Sequence, residues 1–384
     1  MTSLLVIIVL VLLTIAIWQM TKIFDLTQVG ASVDDSQVAN DRDNNINGYL
    51  MFAFLGFIYI FTIYSLYKWG HLVLGKPASE HGKDVDNLMA ISMVLIFVVQ
   101  FITQALLHYF SFKYRGRKDQ KALYFADNDK LEFIWTIIPV IVLAGLILYG
   151  LYAWTNIMFV DEDEDVIYVE LYAKQFSWEA RYAGEDNALG KANVRYIQGI
   201  NTVGVDASDP NAQDDIIVNE LHLPVGKKVV FKMRSQDVLH SAYMPHFRAQ
   251  MNCVPGMITQ FSFTPTVTTA EMREDKDIIT KVSNINKIRA NKSKDLIAKG
   301  ESGLDPYTFD YLLLCNKICG ASHYNMQMKI VVDTPSDFKK WLKEKPTLSQ
   351  ALKAQDAPAE TPAPAAGATK AADSTAVIAQ VVKK

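Results

Sequence analysis

Four stretches of this sequence carry no Asp, Glu, Lys or Arg: residues 1–21, 49–67, 88–112 and 133–155. Each is close to or above the roughly 20 mostly apolar residues that a helix needs to cross a bilayer. Their apolar character is continuous rather than confined to one face, as in TSLLVIIVLVLLTIAIWQM from Thr2 to Met20. A helix that is apolar all round belongs in a membrane or in a large core. Four of them within 155 residues favour the membrane. The first run is also open to reading as a secretory signal, although it lacks a basic n-region and an A-x-A cleavage site. The pattern therefore predicts spans at about 2–20, 49–67, 88–112 and 133–155.

Beyond about Val166 the pattern shortens to period-two segments. Val229, Phe231 and Met233 alternate with Lys228, Lys232 and Arg234, and Phe261 alternates with Phe263. Phe309, Tyr311 and Leu313 lead to Cys315; Met328, Ile330 and Val332 follow. Such half-buried strands, bounded by Pro, Gly and Asp, predict an all-β sandwich or barrel. Residues 266–303 are dense in charge, including MREDKDIITK, and read as a helical or mobile insertion. Residues 346–384 are rich in Ala and Pro and read as a disordered tail.

Charge gives the topology. Lys113, Arg115, Arg117, Lys118, Lys121 and Lys130 lie between the third and fourth runs, marking the cytoplasmic side by the positive-inside rule. The fourth span then leads outward, to the periplasmic face if the membrane is a bacterial inner one. If all four runs span, Met1 is also outside. Averages hide this division: the chain is 50% hydrophobic and 21% charged with a net charge of −3, which excludes a generally basic nucleic-acid binder. Residues 161–220 hold fourteen Asp or Glu against four Lys or Arg, a surface suited to steering a basic partner.

Three cysteines are too few for a disulfide scaffold and are read one by one. Cys315, Cys319, His323 and Met326 place two thiols, an imidazole and a thioether within twelve residues. A disulfide between the cysteines is conceivable on an oxidising face. Zinc is disfavoured because Met is a poor zinc ligand and there is no second Cys pair. The mixture favours copper, and a second thiolate allows two metal ions to be bridged. A binuclear site needs another imidazole, for which His240, just after the Val229–Met233 strand, is the candidate. His71 and His81 lie in a membrane loop and His108 near a helix end. His222, on a strand, is expected to be exposed, and His246 to be a surface or interface residue. Cys253 reads as a buried small side chain.

Three motifs, LEFIWTIIPVIV at 131–142, DVLHSAYMP at 237–245 with VPG at 254–256, and CNKICGASHYNM at 315–326, resemble cytochrome c oxidase subunit II, over about residues 88–345. The resemblance implies a cupredoxin-like outer domain with a binuclear copper (CuA) centre. In it Cys315 and Cys319 bridge, His240 and His323 are terminal ligands, Met326 is a weak ligand, and the main-chain carbonyl of Lys317 binds the second copper. The family commonly has Glu at that last position, where it also helps hold magnesium; Lys repels a divalent cation, so magnesium is not expected. Glu132 matches a glutamate at the mouth of a proton pathway into subunit I. Phe176 aligns with the tryptophan that receives electrons, with Trp178 two residues on.

The implied function is acceptance of electrons from cytochrome c and their delivery to haem in subunit I, where oxygen is reduced to water with proton pumping. With no C-x-x-C-H, the chain carries no haem of its own and needs a separate donor. Quinol oxidase subunits II lack these copper ligands, and a membrane-tethered copper-delivery protein would need neither LEFIWTIIP nor DVLHS. The expected domains are an N-terminal extension at 1–87, a helical hairpin at 88–159, a copper domain at 160–345 and the tail. The extension is an addition to the two-helix family core, open to contact with other oxidase subunits or another respiratory complex.

Overall fold

A computed structural model describes residues 2–28, 40–160 and 165–356, which divide into two compact units meeting at Phe159 and Val160. The first unit is helical: α1 (Thr2–Gln28), α2 (Asp41–Trp69), α3 (Gly82–Lys113) and α4 (Asp129–Met158). Three of these, α2 to α4, are long and apolar enough to cross a membrane; in α1 the apolar stretch among residues with described side chains is Ile8–Ile23. The helices run past the uncharged stretches because polar caps extend them. Asn40 accepts from the Asp43 amide to start α2, and Asn128 accepts from the Leu131 amide to start α4.

Helices α2 and α3 pack antiparallel. The Tyr59 hydroxyl donates to the Phe101 carbonyl, and their rings lie 4.4 Å apart, centre to centre. Near the other end Gly48 admits the Phe112 ring, where a Cβ would approach to 2.7 Å. The basic loop after α3 is tied to the start of α2: Arg115 Nε donates to Asn45 Oδ1 at 2.6 Å, and the Lys118 amide to Asp41 Oδ1 at 2.9 Å. Large apolar side chains such as Phe57, Ile60, Ile141 and Ile147 stay exposed along these helices, as lipid-facing surfaces require.

The second unit is a sandwich of two five-stranded sheets. Its strands are β1 (Ile167–Lys174), β2 (Ser177–Tyr182), β3 (Ile216–Val218), β4 (Leu221–Pro224), β5 (Val229–Ser235), β6 (His240–Met244), β7 (Ala249–Cys253), β8 (Thr259–Phe263), β9 (Tyr311–Cys315) and β10 (Gln327–Asp333). One sheet has the order β3-β2-β1-β5-β8 and the other β4-β10-β9-β6-β7. Each sheet contains one parallel pair, β1 with β5 and β10 with β4, and is otherwise antiparallel. The alternation read from the sequence sets the faces of β5, β9 and β10: Phe231, Met233, Leu313, Met328, Ile330 and Val332 are all buried. Stacked rings of Phe231, Phe263 and Phe247, with Tyr311 tilted against Phe247, lie 4.8–5.1 Å apart centre to centre and fill one part of the core.

Two boundaries differ from expectation. The charged insertion is helical, as α5 (Thr269–Arg273) and α6 (Lys276–Ala298), but its first turn belongs to the sandwich. A capping box between Thr268 and Glu271 starts α5, Met272 is buried, and Thr269 Oγ1 accepts from the Val332 amide at 2.8 Å. The tail does not begin at 346. After α7 (Pro335–Lys343), α8 (Leu348–Asp356) is ordered, with Leu348 buried against Tyr172, Val203, Val205 and Ala212. Thr347 and Gln350 cap each other's amides, a signal masked in the sequence by the Ala/Pro run beyond it. Residues 357–384 lie outside the described residues.

Candidate metal centre

The site forms where strand register brings distant motifs together. Strands β6 and β9 pair so that Ala242 faces Cys315, which places His240, the first residue of β6, beside the end of β9. After β9 the chain leaves as a loop and returns at β10, held by hydrogen bonds from the Asn316 amide to the Ser241 carbonyl (3.0 Å) and from the Cys315 amide to the Met326 carbonyl (3.1 Å). Gly320 has φ +140°, and a Cβ there would come within 2.9 Å of the Phe176 ring. Glycine therefore lets the loop curl tightly over the 175–176 turn.

The donor atoms converge in sequence. His240 Nδ1 lies 3.8 Å from Cys315 Sγ, which lies 3.9 Å from Cys319 Sγ. Cys319 Sγ in turn lies 3.7 Å from His323 Nδ1 and 3.8 Å from Met326 Sδ. The Lys317 carbonyl oxygen is 3.2 Å from Cys315 Sγ. All three cysteines are free thiols. At a metal–thiolate distance of about 2.3 Å, two sulfurs this far apart can both touch one ion, from either side of the line joining them. The donor set therefore fits thiophilic, imidazole-accepting metal ions of the copper class. Burial shields part of it: His240 is 0% exposed, Met326 1% and Cys319 5%, while Cys315 and His323 are half-buried.

Orientation of His240 comes from Asp237, three residues upstream in DVLH. His240 Nε2 lies 2.8 Å from Asp237 Oδ1, so the ring donates there and leaves Nδ1 as a lone-pair donor toward the sulfurs. Burial opposes ionisation of Asp237, but hydrogen bonds from His240 and from the Gln175 and Val238 amides hold its carboxyl below the usual range. Burial and the neighbouring Cys315 push the Cys319 thiol up to about 11, so a metal ion must displace its proton. Gln175 is a second support, donating from Nε2 to the Cys319 carbonyl and from its amide to Asp237 Oδ2 at 2.7 Å. Neither support was singled out from the sequence, although Asp237 stands three residues before His240.

The remaining candidates fall as follows. Phe176 is half-buried against Gly320, whereas Trp178 is 3% exposed, its ring centroid 6.2 Å from that of His240. Glu132 is exposed in the first turns of α4. Cys253 is fully buried opposite His240 in register, and burial pushes its thiol up to about 12.

One histidine departs from expectation. His222 is not an exposed strand residue: it stacks on Trp341 at 4.0 Å and pairs through Nδ1 with Asp333 at 2.6 Å. His246, expected at the surface or an interface, is half-buried and packs edge-on against Phe309 and Tyr311, with centroids 5.2 and 5.4 Å away. The acidic excess at 161–220 is also partly internal. Glu170, Glu179 and Asp215 are buried in ion pairs with Arg181, Arg234 and Lys174, and Asp206, Asp209 and Asp214 accept from loop amides. Asp161 to Glu164 lie outside the described residues.

Known proteins resemble both units of the chain. The profile of the transmembrane domain of cytochrome c oxidase subunit II matches residues 67–153, and that of its periplasmic domain residues 170–271. The alternative cytochrome c oxidase subunit 2 of Bradyrhizobium diazoefficiens is 30% identical over 292 residues, covering 76% of this chain and 88% of that protein. The cytochrome c oxidase subunit 2 of Thermostichus vulcanus is 22% identical, over 73% of this chain and 81% of its own. Among solved structures, the periplasmic domain of subunit II of cytochrome oxidase from Bradyrhizobium japonicum aligns at 17% identity with TM-score 0.28, covering 48% of this chain and 96% of that one.

Proposed function

Since the chain belongs to the cytochrome c oxidase subunit II family, and is thus one subunit of a haem–copper terminal oxidase, we propose that it carries electrons from a cytochrome c to haem in subunit I through a binuclear copper centre. The observation that carries this reading is the convergence of His240, from one motif, on Cys315, 75 residues later, and through it on Cys319, His323 and Met326. Two thiolates flanked by two imidazoles suit a pair of coppers better than one, because each sulfur has a different imidazole beside it. Copper bound there supplies a one-electron carrier whose charge the two thiolates share.

The chain's own contribution is rigidity. Asp237 fixes the tautomer and plane of His240, and the loop hydrogen bonds to Ser241 and Met326 hold both cysteines in place. Ligands that are already positioned change little on gaining or losing an electron. The Lys317 carbonyl points toward Cys315 and completes the ligand set in this reading, while its ammonium disfavours a magnesium ion at the same residue. Electrons would arrive across the half-buried Phe176 rather than the buried Trp178, since a donor protein can touch only the former. Glu132 would stand at the cytoplasmic mouth of a proton pathway shared with subunit I.

Three long apolar helices and the basic residues between α3 and α4 support the placement. We assign the copper domain to the periplasmic face of a bacterial inner membrane, with a multi-pass anchor, and residues 1–87 to contacts with other subunits or a neighbouring respiratory complex. The test is kinetic: the copper-loaded full chain in detergent is mixed with a reduced c-type cytochrome and followed by stopped flow. Rapid oxidation of the haem, with matching bleaching of the copper bands, is expected. A chain that binds copper yet leaves the cytochrome reduced would contradict the assignment.

A further inference from the structure

On the outer face of the first sheet, a cleft of about 490 Å³ opens between β1, β2 and β5 and the segment 187–192. Its floor is a row of charges set by strand register. Arg181 on β2 and Lys232 on β5 both stand opposite Glu170 on β1, and Arg234 follows two residues along β5. Lys191 on the covering segment completes the lining.

The anions present do not match these cations. Glu170 is fully committed, one oxygen accepting from Arg181 and the other from Arg234. Asp215 serves Arg181 from its other side, accepting from Nη1 at 2.7 Å and from the Gly190 amide at 3.2 Å. Lys232 is left with the Gln260 side-chain carbonyl and the face of Tyr168, 5.8 Å away. Lys191 feels Asp206 but forms no ion pair among the described residues. Four cationic side chains thus face three carboxylates, and the surplus charge sits on half-buried Lys232.

Positive charge held without a counter-charge in such a cleft is unfavourable, and an oxyanion accepting charge-assisted hydrogen bonds relieves it. The volume falls within the range of small-molecule sites and exceeds what a single halide would fill. We propose that this cleft binds a small polyanion, bearing phosphate or carboxylate groups, between Lys232, Arg234 and the 187–192 segment. The site is separate from the copper ligands, none of which lines it.

The test uses the full chain in detergent at low ionic strength, titrated calorimetrically with inorganic phosphate and, separately, with citrate. Saturable binding of at least one, with Kd of about 1 mM or tighter, is expected. The arm that saturates identifies the phosphate or the polycarboxylate class. Lys232→Gln should weaken binding about tenfold and Lys191→Gln by a smaller factor, with copper content unchanged in both. If Lys232→Gln disturbs folding, the Lys191→Gln variant decides. Absence of saturation with both anions, or unaltered affinity in the well-folded variants, would overturn the site.

Discussion

At the scale of single residues, the two histidines of DVLHSAYMPH are separated by their surroundings rather than by their sequence context. His240 faces two sulfurs and is oriented by Asp237, whereas His246 is wedged against Phe309 and Tyr311 with its Nδ1 unpartnered. His240→Ala should abolish the copper-pair EPR signal, and His246→Ala should spare it; equal loss in both would refute the ligand choice. Asp237→Ala should keep copper but broaden the signal, because the imidazole loses its anchor. His246 carries a separate consequence for stability. Burial, together with Lys281 and Arg248, lowers its pKa to about 4 from an ordinary 6.5. Its folded pKa lies below its unfolded one, so its contribution is complete above about pH 6.5 and is lost as pH falls toward 4, by up to about 3 kcal/mol. Chemical denaturation across that window should show a shallower acid decline in His246→Phe than in the parent chain.

At the scale of elements, the segments whose hydrophobic pattern was long and unbroken were legible, as were strands with clean alternation such as β5 and β10. The ligand set was legible because soft donors are rare and four of them lie within twelve residues. What stayed hidden depends on tertiary contact. Nothing in the alternation of β4 reveals that His222 will be covered by Trp341 of α7, nor that Glu170 and Asp215 will turn inward to meet Arg181 and Arg234. Helix α8 was lost in compositional bias although its few apolar residues complete a small second core. Ending the chain after Pro346 should therefore lower stability by about 2–3 kcal/mol, the worth of one buried Leu and its partly buried neighbour, measured as a fall in Tm.

At the scale of the whole molecule, a lipid-facing helical unit is joined to a β-sandwich whose loops hold the candidate copper ligands at one place. Glu170, Glu179 and Asp215 are internal, but they tie up Arg181 and Lys174 with them, so the acidic excess of residues 161–220 is little reduced. Donor oxidation should accordingly slow by about tenfold or more between about 10 mM and 0.15 M salt. An unchanged rate would mean that this excess does not steer the donor. The central claim is that one chain holds two coppers on His240, Cys315, Cys319, His323 and Met326. Metal analysis combined with EPR of the copper-loaded full chain tests it most directly. Two coppers per chain, with one unpaired electron spread equally over both nuclei, is the expected result; a single copper with a one-nucleus spectrum, or preferential retention of zinc, would contradict it.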